Sequence, residues 1–337
     1  MITITVYGYP GRESTQTLLN TIEEQKGDVS VNVLVIDLSQ DESMAEYLGS
    51  EAPMAQVGPY RLKSPIHPND IKVAITAAND RSERLKDDPS YRERIDRGRR
   101  ISSSDKFNLW ISKNFAWVFA IILFLYTGLA VLAPVLMKVD MELPAKVLYI
   151  FYKPFCHQLA FRSFFLFGEQ AYYPRELAGI EGVITYEELI EVTGLGEAEN
   201  LLDSRNFLGN EFTGYKTALC QRCLAIYGAM GLFSVAYALS GNKIKPPKWY
   251  WWIIIGLGPI GLDGGSQIPG MLGINLPEWM VIRESVPLFR VVTGALFGLM
   301  TFWYLLPQVE DSMRSTRVNL MRKFAYHKQL EKEGIED

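Results

Sequence analysis

The stretch F-A-W-V-F-A-I-I-L-F-L-Y-T-G-L-A-V-L-A-P-V-L-M, residues 115–137, decides what kind of chain this is. It runs for 23 residues without a charge. A helix of that length spans the roughly 30 Å hydrocarbon core of a bilayer. Three later apolar runs, 219–239, 249–262 and 286–306, repeat the signal, so four membrane crossings are expected. The whole chain has 337 residues, room for two domains of ordinary size. Its formal net charge of -4 is too mild to suggest a nucleic-acid partner. The charged residues crowd toward the front, leaving a soluble part followed by a membrane part.

One further apolar segment, K-V-L-Y-I-F-Y-K-P-F-C-H-Q-L-A-F-R-S-F-F-L-F at 146–167, is interrupted by Lys153, Pro154, His157 and Arg162. Proline breaks a helix and frees backbone groups. The segment therefore reads as a re-entrant or interfacial helix rather than a fifth crossing. The basic residues agree. Arg97, Arg99, Arg100, Lys106 and Lys113 precede the first span; Lys243, Lys245 and Lys248 lie between the second and third; Arg314, Arg317, Arg322 and Lys323 follow the fourth. The positive-inside rule puts all of these on the cytoplasmic side, which four crossings satisfy and five would not. Both termini are then cytoplasmic, and 168–218 is an extracytoplasmic insert. Within it, 185–192 reads as a short capped helix ended by Gly194 and Gly196. Residues 114–310 thus form an all-α membrane domain, and 311–337 a cytoplasmic tail.

No secretory signal is read at the front, because 1–38 alternates polar and apolar residues and has no basic head with an apolar block. Residues 1–80 read as a small α/β domain, with strand-like alternation at 2–7, helical spacing at 14–26 and a second β-rich run at 31–38. Through Val6, Tyr7, Gly8, Tyr9 and Pro10, and then Ala52 and Pro53, this part resembles a glutaredoxin or thioredoxin-like domain. The resemblance implies a Cys-x-x-Cys at a helix N-terminus facing a cis-proline. Here Arg12 and Thr15 stand where the thiols belong, with Pro53 as the candidate cis-proline. Without a thiolate there is no nucleophile for disulfide exchange, so a retained fold that docks a protein partner is expected. A charged connector at 81–113 leads to the membrane, where its basic residues can meet anionic headgroups.

Several polar groups fall at one predicted outer level. They are Cys156, His157, Gln158 and Arg162 on the interrupted segment, and Cys220, Arg222 and Cys223 at the start of the second span. Asp263 and Gln267 close the third span, and Arg283, Glu284, Ser285 and Arg290 open the fourth. Ionisable groups are costly near lipid, so these are expected to face one another across a polar pocket. Asp263 and Glu284 are its candidate acid/base pair. Gly294 and Gly298 form a Gly-x-x-x-Gly suited to close helix packing. The Trp249–Trp252 cluster reads as an interfacial aromatic belt.

Cys156-His157-Gln158, Arg162-Ser163-Phe164-Phe165, Cys220 to Gly228, Leu262 to Gln267 and Arg290 to Gly294 resemble, in order, the motifs of a prokaryotic membrane family known as domain of unknown function 2085. The resemblance implies an integral protein of a prokaryotic plasma membrane and assigns no reaction. The chemistry has to come from the thiols, and three readings stand. Cys-x-x-Cys with Cys156 and His157 makes a Cys₃His zinc site, or an open site for metal-assisted hydrolysis. Alternatively, Cys220 and Cys223 are a thiol–disulfide pair at a helix N-terminus, with Cys156 as relay. In the third, Cys156 is a structural staple to one of them. Among metals, thiolate and imidazole favour zinc, with copper and iron as the alternatives.

Overall fold

A computed structural model describes residues 2–40, 45, 48, 52–90, 93, 100–193, 200–267 and 284–333 of the protein. The chain divides into two compact units, Met1–Lys113 with Ser312–Asp337, and Asn114–Asp311. Arg283 and the turn at Gly194 and Gly196 lie outside the described residues.

In the first unit, β1 (Ile2–Gly8), α1 (Glu13–Gln25) and β2 (Val31–Asp37) make a β-α-β unit with parallel strands. β3 (Met54–Val57) adds antiparallel to β1, and β4 (Tyr60–Leu62) antiparallel to β3, so the sheet order is β2-β1-β3-β4. The helix α2 (Pro68–Leu85) starts with proline in its first turn, where the missing N–H costs nothing, and Asp70 accepts the N–H of His67 at 3.0 Å. Ile4, Val6, Ile22, Ala55, Val57 and Ile71 form the core between sheet and helices. Arg12 sits at the N-cap of α1, and the Ala52–Pro53 bond is cis. The far end of the chain is built into this unit as well: Met321 packs with Tyr7, Ile36 and Met54, and Lys323 pairs with Asp105 at 2.8 Å.

The second unit is largely helical. Three helices are long and apolar enough to cross a membrane, α3 (Ser103–Lys138), α7 (Gln221–Leu239) and α10 (Pro287–Glu333), the last over Pro287–Lys328. The charge-free stretch at 115–137 lies inside α3. That helix starts earlier because Ser102 and Asp105 cap it reciprocally, at 2.9 and 3.1 Å. The run at 249–262 folds as α8 (Trp249–Trp251), a π-helical turn at Trp252–Leu257 and α9 (Gly258–Gly265). At ~1.5 Å per residue this stretch is about 25 Å long, shorter than the other three.

Two expectations change here. The interrupted segment divides into α4 (Glu142–Tyr152), a loop carrying Cys156 and Gln158, and then β5 (Ser163–Leu166). The unit is also not all-α. Within it, β5, β6 (Gly209–Asn210) and β7 (Gly214–Cys220) form an antiparallel sheet in the order β5-β7-β6. The alternating burial along Ser163–Leu166 and the length of Gly214–Cys220 suit strands. Leu219 and Cys220, expected at the head of a span, therefore end a strand, and the helix begins one residue later. Between β5 and β6, α5 (Tyr186–Thr193) and α6 (Leu201–Asn206) cover a small core of Phe161, Phe165, Tyr173, Tyr186 and Leu189. The N–H of Thr185 donates to the Glu188 carboxylate at 2.8 Å, and the N–H of Glu188 donates back to Thr185 Oγ1 at 3.3 Å, which caps α5 as its sequence suggests.

Candidate metal centre

The centre is assembled by a loop, a strand end and a helix start. Cys156 follows the end of α4, where Pro154 stops the helix; its N–H still donates to Tyr152 O at 3.0 Å. Gln158 then takes a left-handed conformation, φ 55°, which turns the chain back toward β5. Cys220 is the last residue of β7 and the N-cap of α7, and Cys223 lies in the first turn of that helix. The three Sγ atoms lie within 4.8 Å of one another. All three cysteines are free thiols.

Two backbone donors point at Cys156 Sγ, the N–H of Cys220 at 3.2 Å and that of Gln158 at 3.5 Å. Such donors stabilise negative charge on sulfur. Neighbouring thiols hydrogen-bond to Cys220, Cys156 first, and hold it well below the ordinary thiol range, as suits a residue at a helix N-terminus. Cys156, as its donor, is pushed up to about 11. A thiophilic cation would replace those shared protons.

His157 is exposed and stands outside the group, which corrects the expected Cys₃His set. Gln158 is fully buried: its side-chain Nε2 donates to Tyr149 O at 2.9 Å and to Ala218 O at 2.8 Å, while its Oε1 has no partner among the described residues. The loop is pinned further by Lys216, a residue that the sequence reading passed over. Its side chain is 0% exposed, and its ammonium donates to Gln158 O at 2.6 Å, Arg205 O at 2.7 Å and Ser204 O at 3.3 Å. Burial pulls it down to about 7, while three carbonyls for three N–H groups work toward the charged form.

The remaining polar residues are spent on each other rather than lining an open pocket. Arg162 grips Glu284 with both arms, Nε at 2.8 Å and Nη2 at 2.9 Å, and Arg290 pairs with the same carboxylate. Arg290, 2% exposed, also donates to Phe161 O at 3.1 Å and to Gln221 Oε1 at 3.4 Å. Arg222 pairs with Asp263, which accepts Ser285 Oγ at 2.9 Å, and Gln267 Nε2 donates to Asp263 O at 2.6 Å. Glu284 is thus held between two guanidiniums and Asp263 beside one. Gln221, 0% exposed, joins the two parts of the site: it accepts from Arg290 and donates to Ser163 O at 3.1 Å, opposite Cys220 in the sheet. Its position inside the Cys-x-x-Cys is its one sequence signal.

Fold and site together define a membrane protein with a trithiol centre at the start of an apolar helix. The family model described as a predicted membrane protein, domain of unknown function 2085, matches residues 203–304. That match takes in Cys220, Cys223, Asp263, Glu284 and Arg290; Cys156 lies before it. An uncharacterised protein of Methanocaldococcus jannaschii is 35% identical over 98 residues, 28% of this chain. The chain spans about half the length of that curated relative, 54%. No solved structure matches the chain.

Proposed function

We propose that this is a membrane metal–thiolate protein in which Cys156, Cys220 and Cys223 bind one thiophilic cation, with zinc the preferred ion. The observation that carries the reading is the convergence of three sulfurs within 4.8 Å from segments far apart in sequence. Zinc at about 2.3 Å from each sulfur would set them about 3.8 Å apart, a contraction of at most ~1 Å. The donor set is soft, which suits a thiophilic ion. No acid/base residue is assigned, because Asp263 and Glu284 are engaged in ion pairs.

The test is metal analysis with thiol counting on the purified full-length protein. One zinc per chain, lost in Cys220→Ser, is the expected result. A second reading has one observation in its favour, the Cys220 thiol at a helix N-terminus three residues before Cys223. It makes the pair a dithiol that passes two electrons and two protons to an acceptor on forming a disulfide. A metal-free protein with a reducible Cys220–Cys223 bond would favour it.

The same proposal takes 249–265 as a fourth crossing, with both termini on the cytoplasmic side of a prokaryotic plasma membrane. A membrane-impermeant thiol label reaching Cys220 in intact cells would support that orientation. The first unit is read as a thioredoxin-like docking module for a protein partner, on the strength of its β-α-β start and antiparallel β3–β4 hairpin.

A further inference from the structure

We propose that the trithiolate centre keeps a fourth coordination position open and fills it with a solvent oxygen, water or hydroxide, held by the Tyr126 hydroxyl. The inference rests on the metal reading above and adds to it what the ion binds besides sulfur.

Zinc takes four ligands, and a site that supplies three leaves room for an exchangeable one. Among the described residues only three ligand atoms converge. His157 is exposed, and both nearby carboxylates are taken by arginines. The fourth donor therefore comes from outside the described chain.

Tyr126, on α3, packs against the buried cluster that contains Cys156, as Cys220 and Cys223 also do. That hydroxyl is buried and has no hydrogen-bond partner among the described residues. Buried hydroxyls are nearly always paired, so a partner is expected beside it. The ring itself is fixed edge-to-face against Tyr152 and Tyr227, each 4.9 Å away between centroids. Tyr152 does not compete for the ligand, since its own hydroxyl donates to Tyr126 O. An oxygen bound to the metal and bonded to Tyr126 has the two polar partners that an ordered buried water needs.

A metal-bound water is acidified toward neutrality. Tyr126 then donates its O–H to the hydroxide, or accepts a hydrogen bond from the water. Small anions that mimic hydroxide belong to the same ligand class.

The experiment loads the full-length protein in detergent with Co2+ and titrates it with azide as the probe. One cobalt per chain with sulfur-to-cobalt absorption is expected, and azide should shift the cobalt d–d bands saturably. Tyr126→Phe should keep the cobalt and its sulfur absorption but weaken azide binding about tenfold or more. X-ray absorption of the zinc protein should resolve three sulfurs and one oxygen. Four sulfurs, no azide response, or unchanged azide affinity in Tyr126→Phe would overturn the inference while leaving the metal reading intact. No uptake of cobalt or zinc would overturn both.

Discussion

The backbone N–H of Cys220 donates to the Sγ of Cys156 at 3.2 Å, across 64 residues of chain. That one bond joins the loop after α4 to the junction of β7 and α7. It means that the thiols are brought together by backbone architecture rather than by chance proximity of long side chains.

The ligand variants should therefore separate cleanly. Cys156→Ser is expected to lower zinc affinity by more than the roughly 10–100-fold typical of losing a supporting group, with Cys220→Ser and Cys223→Ser behaving alike. His157→Ala is expected to keep full metal stoichiometry, because the imidazole is exposed and outside the group. Metal content per chain in the four variants is the measurement. Zinc lost in His157→Ala but retained in Cys156→Ser would reverse the assignment.

Glu284 is the keystone of the ion pairs. Its side chain is 9% exposed and lies between Arg162 and the almost fully buried Arg290. Removing one member of a buried charge network leaves uncompensated charge behind and costs about 3–5 kcal/mol. Glu284→Gln should accordingly lower the thermal unfolding midpoint substantially, read by loss of helical signal in detergent. Glu188→Gln, which touches only an exposed helix cap, should cost about 1 kcal/mol. Equal effects from the two variants would mean that the network carries no more stability than an exposed helix cap.

The contrast between these groups shows what the sequence makes legible. Residues 115–137 announce a membrane helix because length and absence of charge are local properties. Gly294 and Gly298 likewise signal packing from spacing alone. The grouping of polar residues at one level is readable from the cost of leaving charge near lipid, yet their long-range pairing is not. Nothing in the order of residues says that Glu284 meets Arg162 across 122 positions. β7 is hidden for the same reason, since Thr217–Cys220 is apolar enough to begin a helix and becomes a strand only through β5 and β6. His157 falls outside the thiol group because the loop turns at Gln158, a backbone event with no sequence mark.

Lys216 gives a pH dependence with a definite sign. Burial lowers its folded-state pKa from 10.5 to about 7. Between those values the unfolded chain holds a proton that the folded protein binds less well, so stability rises with pH and falls as pH drops toward 7. The slope is at most about 1.4 kcal/mol per pH unit, reduced by the three carbonyls that favour the ammonium. Lys216→Met removes the titrating group, so its midpoint should vary less than wild type between pH 7 and 10. A steeper dependence in the variant would contradict the cause assigned here.

Helix packing offers the sharpest comparison. A Cβ at Gly298 would stand 2.2 Å from Ile226 O, and one at Gly294 would stand 2.7 Å from Arg222 O, both backbone atoms of α7. Neither oxygen can move without shifting the helix that carries Cys223. Gly298→Ala should therefore cost on the order of 1–3 kcal/mol, the usual penalty of overpacking. Gly228→Ala, on α7 with nothing within 4 Å of the added carbon, should be neutral or stabilising, since alanine favours helix by roughly 1 kcal/mol. Because α7 also positions the thiols, Gly298→Ala should weaken zinc binding along with stability, whereas Gly228→Ala should leave it alone. Parallel unfolding curves and zinc titrations of the two variants check this, and a destabilised Gly298→Ala with wild-type zinc affinity would show that the α7–α10 contact does not govern the centre.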